Sequence, residues 1–149
     1  MVSKRNKKRQ KLSLSELREE HSSILRELSH FEKSFVRIGG KLDDVERFLA
    51  LFDNKVSHII KLEESTIFPY LEKHIEEDGP LYVMRYTHDI IRTEFEKLRN
   101  ALLNKDISSL HKSAKRLADV LRFHITKEDE IVLREFEKTV GSDQILQFD

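Results

Sequence analysis

The chain has 149 residues, a length typical of a single domain with its own hydrophobic core. It contains no cysteine, which excludes disulfides, thiolate metal sites and cysteine nucleophiles, and its few glycines and prolines favour a helix-rich protein. No apolar run approaches the roughly 18 residues of a membrane helix, and the N-terminus lacks the apolar core of a signal peptide, so we expect a cytoplasmic protein without membrane contact.

Charge is balanced overall but unevenly distributed. The first eleven residues, MVSKRNKKRQK, hold six basic side chains and no acidic one, which leaves 21 basic against 27 acidic residues elsewhere, a net charge of −6. We predict that residues 1–12 form a disordered, solvated basic tail. Contact of this tail with nucleic acid is the less favoured alternative, because the tail has no aromatic residue and the remaining chain is acidic.

The first predicted helix begins near Ser13, where Ser13 and Glu16 have the spacing of a capping box. Its apolar residues recur at the helical period as far as Arg37, and His21 stands at a position of this stripe where a core residue is expected. The pair Gly39-Gly40 is predicted to end the helix.

The second predicted helix extends from about Leu42 to Glu77, and its apolar stripe includes one acid, Glu63. Glu64 is turned by about 100° from Glu63 in an α-helix, so we expect it to be solvated. Pro69 is expected to kink the helix or to end its regular part.

Two further helices complete the pattern. The third extends from about Leu81 to Leu103 with His88 in a core position, and the fourth from about Ile107 to Val140. His124 and Glu128 lie four residues apart on the buried face of the fourth helix. Residues 141–149 show no clear period and are predicted to form a C-terminal tail. The aromatic side chains expected in the core are Phe31, Phe48, Phe52, Phe95 and Phe123.

Four long amphipathic helices with short links predict an all-α fold, an antiparallel up-down-up-down four-helix bundle over residues 13–140. Each helix places a polar side chain on its buried stripe, and together these are His21, Glu63, His88, His124 and Glu128. A lone core histidine is more often a hydrogen-bonded packing residue than a ligand, but five such groups need mutual hydrogen bonds or cations. We favour metal ligation, and without cysteine the set suits iron, zinc or manganese.

The ordered motifs resemble those of the hemerythrin-like, HHE cation-binding family over roughly residues 14 to 138. The motifs are Glu19-Glu20-His21, Glu63-Glu64 followed by Ile67-Phe68-Pro69, His88, and His124-x-x-x-Glu128. The resemblance implies a di-iron centre in a four-helix bundle, with Glu63 and Glu128 as bridging carboxylates. It also implies that His21, His88 and His124 are terminal ligands. Family members bind dioxygen reversibly, or handle nitric oxide, peroxide or iron.

One position departs from the family pattern. The family usually has a histidine four residues before the glutamate of the second helix, where this chain has Ile59. The nearby His58 would point about 140° away from Glu63 in a regular helix, unless a π-bulge brought the two into line. The continuous apolar stripe favours the regular helix, so His58 is only a secondary candidate ligand. Losing this ligand would leave open coordination positions, a lower metal affinity or a single-metal site.

Three functions are compatible with these observations. The first is a binding module in which non-haem iron, as two ions or alternatively one metal or a zinc or manganese substitute, binds dioxygen or a related diatomic molecule, or serves in iron sensing or storage. The second is a di-iron peroxidase or ferroxidase, with Tyr70, Tyr82 or Tyr86 as redox neighbours. The third is a structural or regulatory bundle whose metal site has degenerated. The residues alone do not separate binding from turnover.

Overall fold

A computed structural model describes residues 10–74, 79–140 and 145–148, and within these ranges the chain forms four long helical segments and one short strand pair. Three of the segments change between α-helical and π-helical geometry without interruption. The all-helical class predicted for the folded body is therefore confirmed, apart from the strand pair at its margin.

The strand pair joins the two ends of the described chain. Strand β1, Gln10–Ser13, pairs antiparallel with β2, Ile145–Phe148, in a register that sets Gln10 opposite Phe148. The sequence did not predict this ribbon, because four residues are too few to show the two-residue period of a strand. Residues 1–9, 141–144 and 149 of the two predicted tails lie outside the described residues, and so do residues 75–78, which include the predicted end of the second helix.

The first helical segment, α1, comprises the α-helix Leu14–Phe31 and the π-helical turn Glu32–Val36. Its predicted capping box is confirmed: the Ser13 hydroxyl accepts from the Glu16 backbone N–H, and the Glu16 carboxylate accepts from the Ser13 N–H, both at 3.1 Å. At the other end, Gly39 adopts φ +65°, a left-handed conformation that glycine tolerates without steric cost. The sequence signals at both ends of α1 thus have the local structures they predicted.

The second segment, α2, spans residues 42–72 and alternates twice between the two helix types. It consists of the α-helix Leu42–Leu51, the π-turn Phe52–Val56, the α-helix Ser57–Leu62, the π-turn Glu63–Ile67 and the α-helix Phe68–Glu72. Pro69 is the second residue of the last α-helix, Phe68–Glu72, where its missing N–H breaks no hydrogen bond of that helix. The segment therefore continues past the proline.

The remaining segments are α3, Gly79–Leu103, and α4, residues 107–140. Segment α4 consists of the α-helix Ile107–Lys127, the π-turn Glu128–Val132 and the α-helix Leu133–Val140. Asp106 caps its start by accepting a hydrogen bond from the Ser109 backbone N–H at 3.2 Å. None of the helices in the described ranges is long and apolar enough to cross a membrane.

Stacking of aromatic and imidazole rings connects the four segments at one end of the core. The Phe31 ring of α1 stacks on the Phe48 ring of α2 at 4.2 Å, and Phe52 of α2 stacks on Phe95 of α3 at 4.1 Å. The ring of His111 in α4 lies 4.9 Å from that of Phe35 in α1. These contacts place all four segments around one apolar core.

Phe123 is not part of this core, contrary to prediction. Its side chain is 48% exposed, whereas the neighbouring His124 and Ile125 are buried. The buried stripe of α4 passes through Leu117, Leu121 and His124, and each residue of an α-helix is turned by about 100° from the next. Phe123 therefore falls on the side of the helix that faces away from the stripe.

Replacing Phe95 with alanine tests the aromatic part of the core. Phe95 is fully buried and contacts two aromatic rings, so Phe95→Ala is expected to lower the free energy of unfolding by about 3–5 kcal/mol. Phe123→Ala is the matched control and is expected to cost less than about 1 kcal/mol, because its ring is half-exposed. Urea unfolding of both variants measures the difference, and similar losses would contradict this description of the core.

Candidate metal centre

The five side chains predicted to form the site are all buried in the interior, and they come from all four helical segments. Their exposed fractions are 1% for His21, 1% for Glu63, 0% for His88, 3% for His124 and 0% for Glu128. Four of them each offer one ligand atom, and these atoms lie within 4.8 Å of one another: Glu63, His88, His124 and Glu128. We call this set the four-residue cluster.

Close contacts hold the cluster and His21 together. The His88 Nε2 atom lies 3.0 Å from Glu63 Oε1, and the His124 Nε2 atom lies 2.7 Å from Glu128 Oε2. On the other side of Glu63, its Oε2 atom forms a hydrogen bond of 3.1 Å with His21 Nε2. The Glu63 carboxylate is therefore shared between the cluster and His21.

Several polar atoms of the cluster are buried without a hydrogen bond of acceptable geometry among the described residues, although the two imidazole nitrogens lie 3.0 and 2.7 Å from a carboxylate oxygen. They are His88 Nε2, His124 Nε2 and both carboxyl oxygens of Glu128. A buried polar atom without a partner costs roughly 1–3 kcal/mol, so four at one place need a compensating group. Imidazole nitrogens and carboxylate oxygens are ligands that iron, zinc and manganese accept. The residues present therefore fit a metal ion.

Each of the three histidines is also held from the side opposite the cluster. Asp129 Oδ1 lies 2.6 Å from His21 Nδ1, Glu64 Oε2 lies 2.9 Å from His88 Nδ1, and Thr87 Oγ1 lies 2.6 Å from His124 Nδ1. Partners of this kind orient metal-binding histidines and fix the ring nitrogen that remains free. They are a second feature expected of a metal centre.

The contact with Thr87 determines how His124 is protonated. The Thr87 hydroxyl donates its hydrogen to the Met84 carbonyl oxygen at 3.0 Å, so towards His124 it can only accept. The Nδ1 atom of His124 therefore carries the proton. In the neutral ring, this leaves the lone pair of Nε2 directed into the cluster and available to a cation.

The orienting acids are residues that sequence reasoning misjudged or missed. Glu64 was expected to be solvated, but it hydrogen-bonds His88 and accepts from Arg92 at 2.5 Å. Asp129 was not predicted to have a role, although it holds His21. The signal that could have found both is the acid doublet, because each directly follows a cluster carboxylate, in Glu63-Glu64 and in Glu128-Asp129.

Each doublet begins a π-helical turn. The backbone N–H of Phe68 donates to the Glu63 carbonyl, and that of Leu133 donates to the Glu128 carbonyl, which is the i to i+5 pattern of a π-helix. Such turns are frequent at functional sites. In both turns the first acid faces the cluster and the second reaches a histidine of another segment.

The structure does not bring His58 into the cluster. His58 lies on the exposed side of the regular α-helix Ser57–Leu62, so no π-bulge aligns it with Glu63. Ile59, four residues before Glu63, is buried and lines a cavity beside the cluster instead. The second segment therefore contributes Glu63 to the cluster but no imidazole.

Burial and neighbouring charges move the pKa values of the imidazoles in opposite directions. Burial disfavours a charged ring at His124, the nearby positive charge of His88 adds to this effect, and the pKa of His124 falls to about 3. Burial also opposes a charge on His21, but hydrogen bonds to Asp129 and Glu63 outweigh it and raise the pKa of His21 to about 9. His124 is thus neutral at physiological pH, whereas His21 holds its proton.

The two facing carboxyl groups also differ. Burial and the negative charge of Glu63 raise the pKa of Glu128 well above its usual value. Burial would have the same effect on Glu63, but contacts with Glu128, His21 and His88 outweigh it and lower the pKa of Glu63. Two buried carboxylates side by side do not both ionise easily, and without a cation Glu128 is the one that ionises less readily.

A cavity of about 10 Å³ adjoins the cluster. His21, Glu63, His124 and Glu128 line one side of it, and the other lining residues are the aliphatic side chains Ile24, Val56, Ile59, Ile60, Ile91, Leu121 and Ile125. This volume is close to the smallest that can hold one water molecule. The cavity therefore suits a very small ligand and excludes a bulky substrate.

Comparison with known protein families agrees with this geometry. Residues 12–136 match the family model of the hemerythrin HHE cation binding domain, which covers most of the chain and all five predicted site residues. No curated protein and no solved structure matches the chain significantly.

The protonated state of His21 makes a prediction for the metal-free protein. Its folded-state pKa of about 9 lies above the ordinary value of 6.5, so between these pH values the folded chain binds a proton that the unfolded chain has released. The free energy of unfolding should therefore fall by up to roughly 1.4 kcal/mol per pH unit as the pH rises through this range. Urea unfolding in the presence of a chelator measures the slope.

His21→Gln is the control for this slope. Glutamine retains a hydrogen-bond donor but does not titrate, so the variant should keep only the weaker pH dependence that other groups contribute, including His88, whose pKa is also raised. Equal slopes in the two proteins would show that His21 does not hold the proton.

The contact between Thr87 and His124 makes a second prediction, for metal affinity. Thr87→Val removes the acceptor of the His124 Nδ1 proton while preserving side-chain shape, so affinity for zinc or cobalt should fall by about 10–100-fold. Thr87→Ser keeps the hydroxyl and should remain close to the original affinity. Competition with a chromophoric chelator measures both, and an unchanged affinity in Thr87→Val would contradict the orienting role.

Proposed function

The chain belongs to the hemerythrin HHE cation-binding family, and from this premise we propose that it is a non-haem iron protein that binds dioxygen or a related diatomic molecule. The main support for the proposal is the set of buried ligand atoms that lack a hydrogen bond of acceptable geometry beside a small aliphatic cavity. The atoms would hold the metal, and the cavity would admit the ligand.

The protein's own residues would contribute three effects. Glu63, His88, His124 and Glu128 would hold the ion, and Glu64 and Thr87 would fix the orientation of the two imidazoles. Ferrous iron, when bound, supplies the electrons with which dioxygen or nitric oxide interacts. The aliphatic walls of the cavity would exclude water and favour an uncharged diatomic ligand.

We also propose that the four segments form the antiparallel up-down-up-down bundle expected from the sequence. The order of the contacts supports it. Between α1 and α2, Glu27 pairs with Arg47 but the earlier residue Glu20 pairs with the later Lys55. Between α2 and α3 the order is also reversed, in the pairs Asp53–Arg99, Glu64–Arg92 and Glu72–Arg85. The same reversal relates α1 to α4, in the pairs Arg18–Glu137, His21–Asp129 and Glu32–Arg122.

The alternative of a peroxidase or ferroxidase gains no specific support from the tyrosines that could serve it. Tyr82 and Tyr86 are 71% and 58% exposed, and Tyr70 packs against His74 and Phe136. None of the three lines the cavity or hydrogen-bonds a cluster residue in the contacts described. Reversible binding is therefore the function we prefer to turnover.

Anaerobic loading with ferrous iron tests the proposal. The full chain should retain iron after gel filtration, and exposure to dioxygen or nitric oxide should produce visible absorption bands that disappear when the gas is removed. The double variant His88→Ala/His124→Ala removes two of the proposed ligands and should lose both the iron and the bands. His58→Ala, which changes an exposed histidine outside the cluster, should keep both.

Two results would contradict the proposal. If the original chain retains no iron, or if the double variant behaves like it, the cluster is not an iron site and the degenerate bundle becomes the better description. If iron is retained but peroxide is consumed catalytically, and this activity is lost in the double variant, the site is an enzyme rather than a binding module.

A further inference from the structure

We propose that the centre of this chain holds one metal ion instead of the two that the family resemblance implies, and that His21 positions Glu63 instead of binding a second ion. This inference rests on the proposed function, since it concerns the same cluster. It assigns the space beside the ion to the diatomic ligand.

The four-residue cluster has the dimensions of a single coordination sphere. Its four ligand atoms all lie within 4.8 Å of one another, and they come from two glutamates and two histidines. Around an ion with bonds of roughly 2.0–2.2 Å, two ligands can be no more than about 4.4 Å apart. A contraction of a few tenths of an ångström would therefore place all four atoms on one ion.

His21 differs from the two cluster histidines in its contacts. Both of its ring nitrogens hydrogen-bond carboxylate oxygens, Nε2 with Glu63 Oε2 at 3.1 Å and Nδ1 with Asp129 Oδ1 at 2.6 Å. The Nε2 atoms of His88 and His124 also face carboxylate oxygens, at 3.0 and 2.7 Å, but these contacts lack hydrogen-bond geometry, so neither atom is satisfied within the described residues. His21 thus already satisfies its own polar atoms. By holding Oε2, it also turns Oε1 of Glu63 towards His88.

The space next to His21 offers a second ion too few ligands. Among the residues lining the cavity, His21 is the only polar one outside the four-residue cluster, and Ile59 stands where the family has a histidine. A second ion would have to share Glu63 and Glu128 with the first. The two carboxylates neutralise one divalent ion. The nearby outer acids are already paired, Glu64 with Arg92 and Asp129 with His21. A second ion would therefore leave two positive charges beside aliphatic side chains, which is unfavourable without a further anion.

The metal stoichiometry of the full chain tests the inference. Metal-free protein is loaded separately with ferrous iron, zinc and cobalt, excess metal is removed, and the ions per chain are counted by elemental analysis and native mass spectrometry. We expect one ion per chain. His21→Gln keeps a donor for Glu63 but lacks the imidazole, and we expect it also to bind one ion, with the cobalt absorption spectrum little changed.

The possible results separate the two proposals. Two ions in the original chain and one in His21→Gln would overturn the single-ion inference and leave the proposed iron-binding function intact. No bound ion in the original chain would overturn both. One ion in the original chain and none in His21→Gln would make His21 a ligand of that ion and overturn its positioning role.

A gain-of-function variant makes the test sharper. Ile59→His introduces an imidazole into the cavity four residues before Glu63, and we expect it to raise the stoichiometry from one ion to two. The combined variant Ile59→His/His21→Gln should return to one ion. A folded Ile59→His protein that still binds one ion would overturn the claim that missing ligands limit the count, and the His21→Gln comparison remains decisive if Ile59→His does not fold.

Discussion

The central constraint on this protein is the placement of two carboxyl groups and two imidazoles against one another in an apolar interior. Glu63 and Glu128 come from different helical segments, yet both lie where water cannot reach them. Their charges therefore have to be compensated within the protein or by a cation. The orientation of the surrounding histidines, the π-turns and the second row of acids can all be understood as responses to this requirement.

The structure compensates these groups in two different ways. His21 is satisfied by protein contacts alone, because Asp129 and Glu63 occupy both of its ring nitrogens. His88 and His124 are satisfied only on the outer side, through Glu64 and Thr87. Their inner nitrogens face carboxylate oxygens but form no hydrogen bond of acceptable geometry in the described ranges. The sequence left mutual hydrogen bonding and cation binding as alternatives, and the structure shows the first at His21 and side chains that could hold a cation at His88 and His124.

The sequence was sufficient to identify the residues that interrupt an apolar stripe. His21, His88 and Glu63 were found because a helix repeats its buried positions at a fixed period, and a polar residue at such a position is conspicuous. Glu64 and Asp129 could not be found in this way, because they lie off the stripe and their role depends on a histidine of another segment.

Other features could not be predicted, because the spacing of apolar residues along the sequence carries no information about them. The π-turns change the angular relation between successive residues, but each needs only one altered hydrogen bond and leaves the apolar pattern nearly intact. The ribbon between Gln10–Ser13 and Ile145–Phe148 depends on two segments more than a hundred residues apart. The aromatic character of Phe123 predicted a core position, but its place between Leu121 and His124 turns it to the exposed side of the helix.

The π-turn at Glu63–Ile67 changes what the loss of one residue does to this segment. A π-turn accommodates one residue more than the α-helical turn it replaces, so losing one codon within Glu63–Ile67 would restore a plain α-helix and leave the later residues in nearly the same rotational position. Phe68 and Leu71, which are fully buried, would therefore still face the core. Losing one codon within the α-helix Ser57–Leu62 has no such compensation and would rotate the two flanking parts of the segment by about 100° relative to each other, so that stretch tolerates a change of length far less well.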